Sequence, residues 1–197
     1  MKNLLLIALL ILSPTFIYSQ KKSIVKTVSG KTTVSLAKID NLIVEVKTGN
    51  FQISINENGK FKDAIVVKPV DTKFAPTDCK LTAFTASGVK LYLLTWTEKN
   101  TTKTDLKTEE ITTIYSNIYE ITSRKLALYN TQLTNHITEK VFLDRLKNAS
   151  ETQEKMRREG YEFKLNPDGS VIQKTKSQEN KLIYDVAKME YIVTKKK

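Results

Sequence analysis

The chain has 197 residues, 40% of them hydrophobic and 27% charged, a mixture that excludes a collagen-like or mainly disordered polymer and suits one domain or two small ones. A single cysteine excludes an intramolecular disulfide framework, and a single histidine excludes a zinc site built from Cys and His. Lys+Arg 32 against Asp+Glu 21 leaves a net charge of +11, which directs attention to anionic partners.

Residues 1–19 read as a secretory signal. Lys2 supplies the positive start, Leu4 to Leu12 the apolar stretch, Pro14 a break, and Ser19 the small residue at which cleavage is expected. The apolar stretch is too short to span a bilayer. Ending in Ser19-Gln20, the first twenty residues resemble signal peptides of Gram-negative envelope proteins, and the resemblance implies Sec-type export to the periplasm, the outer surface or the medium. No cysteine stands directly after the apolar stretch, in residues 13–20, so lipid attachment at a mature N-terminal cysteine is not expected. No second apolar run reaches spanning length, so no transmembrane segment is expected once the signal is removed. Residues 20–197 are then read as a single β-rich domain, with 98–110 as the place where it could subdivide.

Up to about Glu98 the pattern predicts strands and turns. Leu42, Val44 and Val46 share one face of an alternating run, Thr48-Gly49-Asn50 turns the chain, and Phe51, Ile53 and Ile55 repeat the period of two. Asn58-Gly59 marks the next reversal, followed by a strand from Phe61 to Val70 with Pro69 near its end. Residues 81–86 and 89–97 flank Ser87-Gly88, a hairpin signal. In the second of these runs Val89, Leu91 and Leu93 oppose Tyr92, Leu94 and Trp96, so the strand is apolar on both faces and belongs inside a sheet. Cys79, beside Asp78 and Lys80, is read as a small buried or half-buried residue.

Residues 98–110 hold one apolar residue, Leu106, and read as a solvated loop or linker. Residues 111–137 fit both periods, but Ile, Thr and Tyr dominate, which favours strands with a turn at Ser123-Arg124-Lys125. A late amphipathic helix is expected over 138–159, capped by Thr138 and ended by Gly160, with Phe142, Leu146, Ala149, Gln153 and Met156 along one stripe. Tyr161 to Leu165 alternates, Asn166-Pro167-Asp168-Gly169 turns, Val171 and Ile172 return, and a final alternating run covers Leu182 to Val193 before Lys195-Lys196-Lys197. The fold class expected is therefore mainly β, an antiparallel sandwich or barrel, with one late helix. A barrel of that kind is compatible with a lipocalin-like layout, although no lipocalin signature is present.

The residues supply no catalytic constellation. His136 is the only imidazole and has no nucleophile motif to serve. Glu109-Glu110 reads as a solvated pair, and Asn166-Pro167-Asp168-Gly169-Ser170 has one aspartate where a calcium loop needs several acidic ligands. No glycine-rich phosphate loop occurs, so no catalytic, metal or cofactor residues are assigned and no cofactor is expected. The lysines are scattered as outward partners of alternating strands, without aromatic or recognition-helix motifs, so no nucleic acid partner is expected either. Two functions are carried forward. One is an exported, non-catalytic envelope binding protein of β-barrel or sandwich type whose ligand the sequence does not name, an apolar small molecule or an anionic envelope component being the partners considered. The alternative is a surface interaction or structural protein contacting an anionic envelope component or a protein partner.

Overall fold

The structure, a computed structural model, describes residues 34–194; the signal expected over 1–19 lies outside them. The described residues are mainly β, in three antiparallel sheets. The first sheet is a meander of β1 (Val34–Ile39), β2 (Leu42–Lys47), β3 (Asn50–Glu57) and β4 (Lys60–Pro69). A central sheet has the order β10-β9-β7-β6-β5, formed by β5 (Thr77–Ala86), β6 (Val89–Lys103), β7 (Lys107–Glu120), β9 (Thr131–Phe142) and β10 (Ser150–Gly160), with the short β8 (Lys125–Leu128) also on β7. The third is a second meander, β11 (Glu162–Leu165), β12 (Val171–Lys174), β13 (Glu179–Asp185) and β14 (Glu190–Val193).

The turns that set this order are local. Thr48-Gly49, Asn58-Gly59 and Ser87-Gly88 each hold two successive residues at positive φ, the geometry whose twist matches that of the flanking strands. Alternation then decides which faces meet. Leu42, Val44, Phe51 and Ile53 of the first sheet pack with Leu81, Tyr92, Leu94 and Trp96 of the central one. The opposite face of the central sheet places Ala86, Leu91 and Ile118 against Val171, Leu182, Tyr184 and Tyr191 of the third. The central sheet is thus covered on both sides, which explains why β6 reads as apolar on both faces: Leu91 and Leu94 are fully buried in different cores. Polar ties hold the layers in place. Lys90 Nζ and Tyr92 Oη both donate to Asp40 Oδ2, at 2.7 and 3.0 Å, and Arg124 pairs with Asp63.

The late helix expected over 138–159 is absent. Thr138–Phe142 finishes β9, residues 143–149 turn, and β10 pairs β9 without a break from Ser150↔Phe142 to Gly160↔Gln132. The reason lies in burial and backbone pairing. The expected stripe had little to bury, and Leu146 and Met156 are exposed. As strands, the same residues give the outer edge of β9 a partner for its N–H and C=O groups. Asp144 also takes the N–H of Asn148 and Ala149, a local alternative to helical bonding. Gly160 does adopt a positive φ of 77°, but it links β10 to β11 rather than ending a helix.

Two other segments differ from expectation. Residues 98–110 are not a linker: β6 continues to Lys103 and β7 begins at Lys107, paired from Glu98↔Thr113 to Lys103↔Thr108. Their polarity reflects a stretch of central sheet that contributes nothing to either core. The run from Leu182 to Val193 is two strands, because Asp185 accepts from the N–H of Ala187 and Lys188 and turns the chain. The strand reading of 111–137 holds, with Arg124 at φ 60° in the turn between β7 and β8.

Candidate functional site

Where β4 ends at Pro69, the chain crosses from the first sheet to the central one through residues 70–76. Val70 N–H donates to Gly49 O at 2.8 Å, and Asp71 closes a turn by accepting from the N–H of Lys73 at 2.9 Å. This turn presents Phe74, half-buried, against the fully buried Phe51 with ring centroids 5.2 Å apart. Phe51 meets Trp96 edge-on at 5.1 Å, and Trp96 stacks on Tyr115 at 4.5 Å. Four aromatic rings therefore run in contact from the connector into the core, an arrangement favoured by ring quadrupoles as well as by burial.

Clefts open on both sides of Phe74. One, of about 830 Å³, is lined by Val34, Leu36, Val46, Val70, Phe74 and Pro76. The other, of about 520 Å³, is bounded by Lys68, Lys73, Glu98, Asn100, Ile111 and Thr113. In the second, Glu98 is fully engaged: Lys68 Nζ donates to both its oxygens at 2.6 and 2.8 Å, and Trp96 Nε1 donates to Oε1 at 2.7 Å. Lys68 also lies over the rings of Phe74 and Tyr115, 4.8 and 5.5 Å from their centroids. The pair fixes the aromatic wall. The first cleft is the larger and the more apolar, with concave walls and few polar groups, the form taken by small-molecule sites. A third cleft, of about 660 Å³, separates β10 from the third sheet and is lined by polar and charged groups such as Arg158, Glu162 and Lys174.

The residues considered from the sequence do not assemble into a reaction centre. His136 lies on β9 with Nε2 3.8 Å from Glu154 Oε2, and it is partly exposed. Glu109 and Glu110 are successive strand residues and point to opposite faces. Glu109 pairs with Lys107 at 2.7 Å, and that bond holds its carboxyl below the usual range. Asp168 sits in the Asn166–Ser170 turn and its Oδ1 accepts from Ser170 Oγ and N–H at 2.6 and 2.9 Å, which lowers its pKa. Among the described residues no cluster of three or more His, Cys, Asp or Glu side chains forms a metal-binding group. Phe74 was not legible as a site residue. Its one local signal was a lone aromatic in a short connector between Pro69 and Pro76. Lys68 and Glu98 are thirty residues apart, and nothing local joins them.

Cys79 is half-buried beside the first core, and burial pushes its thiol up to about 11. At pH 8 only roughly one thousandth of it is thiolate, the reactive form. Labelling by Ellman's reagent should therefore be slow in the native protein at pH 8 and accelerate above pH 10 or on unfolding. Immediate labelling of native protein at pH 8 would contradict the burial.

Over the described residues these features define an all-β fold of stacked antiparallel sheets with an apolar surface cleft at a sheet-to-sheet connector. Compared with known families, curated proteins and solved structures, the chain shows no significant match.

Proposed function

We propose that this chain is an exported, non-catalytic binding protein of sandwich type that takes an apolar small ligand in the cleft beside Phe74. The observation that carries the reading is the cleft itself: about 830 Å³, its walls mainly Val34, Leu36, Val46, Val70 and Phe74, with Thr48, Asp71 and Thr72 as its polar groups. Export rests on the residue pattern of the first nineteen positions. The stacked sheets serve as a rigid scaffold, and the connector, which is free of strand pairing, supplies the recognition surface.

The aromatic chain provides the assay. Trp96 is the only tryptophan, and it reaches Phe74 through Phe51. A neutral apolar probe such as N-phenyl-1-naphthylamine should bind saturably, change Trp96 emission, and show an affinity nearly flat in salt, because apolar contact is not screened. Phe74→Ala removes most of one wall and should weaken binding about tenfold, as expected for loss of one aromatic contact face. Leu106→Ala, remote on the central sheet, should leave it unchanged. Equal affinities for wild type and Phe74→Ala would remove the cleft as the site.

A further inference from the structure

We propose that the paired hairpin tips at the far end of the central sheet form a docking surface for an anionic lipid bilayer. The β6–β7 turn and the β9–β10 turn lie side by side, joined by the Lys140 N–H donating to Leu106 O at 2.8 Å. Each is closed by its own bonds: Thr104 N–H to Lys107 O at 2.8 Å, and Leu143 N–H to Ala149 O at 3.0 Å. On these ordered turns Leu106, Leu143 and Leu146 are 45%, 61% and 78% exposed. None belongs to either core, and the sheet around them is covered by neither neighbouring sheet.

Cations lie at the same place. Residues 103–107 and 140–148 hold five of them, Lys103, Lys107, Lys140, Arg145 and Lys147, against Asp105 and Asp144, while Glu109, Glu110, Glu139 and Glu151 stand on the adjoining strands. Lys107 pairs with Glu109, and Asp144 turns inward to the N–H of Asn148 and Ala149. Lys103, Lys140, Arg145 and Lys147 have no carboxylate within 4.0 Å among the described residues. Lys140 and Lys147 stand 5.8 and 5.4 Å from the ring centroid of Phe142. Bare leucines ringed by unpaired cations suit an interface that is anionic at the headgroups and apolar beneath them. A soluble polyanion would use the cations and leave the leucines in water. This surface is separate from the cleft at Phe74 and does not depend on it.

The exported chain, with residues 1–19 removed, should co-sediment with phosphatidylcholine vesicles containing about a third phosphatidylglycerol and not with phosphatidylcholine alone, with affinity falling as salt rises. The variant Lys140→Gln/Arg145→Gln/Lys147→Gln should lose roughly 100-fold in partition, about fivefold per cation. Lys164→Gln/Lys174→Gln/Lys181→Gln, which removes the same charge from the third sheet, should lose less than about threefold if the contact is local. Both triples alter exposed side chains, and matching thermal midpoints will confirm that both fold. Leu146→Trp, read above the Trp96 background, should shift to the blue on the anionic vesicles. Equal losses for the two triples would overturn the proposal, because the attraction would then be spread over the whole chain. An unshifted Leu146→Trp variant, or equally tight binding to soluble dextran sulfate, would overturn the bilayer as the occupant.

Discussion

Gly169→Ala should destabilise the protein by about 3–5 kcal/mol, far more than the same change at Gly88, measured as the shift of a urea unfolding midpoint. Both glycines have left-handed backbones, with φ of 78° and 79°. A Cβ at Gly88 would meet nothing within 4 Å, so only the backbone term applies, on the order of 1 kcal/mol. At Gly169 it would lie 2.5 Å from Thr85 O, 2.6 Å from Ala86 Cβ and 2.7 Å from Ala86 Cα. Backbone atoms cannot swing aside as a long side chain can. Retreat of the turn would also stretch the bond from Tyr191 Oη to Gly169 O, now 2.8 Å. The Asn166–Ser170 turn therefore serves to dock the third sheet on the end of β5. Equal losses at the two glycines would show that this docking is not as described.

Leu91→Ala and Leu94→Ala should each cost about 2–5 kcal/mol, and the double variant should show their sum to within roughly 0.5 kcal/mol. Both side chains are fully buried, three residues apart on β6, but they point into different cores. Truncation leaves a cavity against the first sheet in one case and against the third in the other, with no shared packing partners to couple them. Leu93, on the same face as Leu91, is only partly buried and should cost less. Leu106→Ala, at the exposed hairpin tip, should stay within about 0.5 kcal/mol. A coupling above about 1 kcal/mol between Leu91 and Leu94 would mean that the two cores are not separate. Midpoints no lower than that of Leu106→Ala would mean that β6 is not covered on both faces.

The contrast between Leu106 and Leu143 shows how far local reading extends. Leu106, alone among polar residues, was rightly expected to be exposed, although it lies in a hairpin turn and not in a linker. Leu146 was placed on a helical stripe, with Leu143 inside the same expected helix, and both are instead bare on a turn. The positive charge was also read as scattered. In the described residues strands distant in sequence still bring Lys103 and Lys140 to the same end. The apolar cleft was invisible for the same reason: Val34, Val46 and Phe74 come from three separate segments.

By itself the sequence determined the hairpins and the faces. Asn58-Gly59 and Ser87-Gly88 specify their turns through the dihedrals of two residues, and the period of two in Leu42–Ile55 and Val89–Trp96 specifies which side chains meet, since both depend only on neighbours along the chain. Tertiary structure alone decided the conformation of 138–159 and the stacking of three sheets. A polar segment with a thin apolar stripe gains little by forming a helix, so the choice passed to the unpaired edge of β9, which the local sequence cannot display. The doubly apolar β6 announced that both its faces would be covered; only the folded chain decided by what, because that depends on where the connector at Phe74 and the turn at Gly169 bring the two meanders to rest.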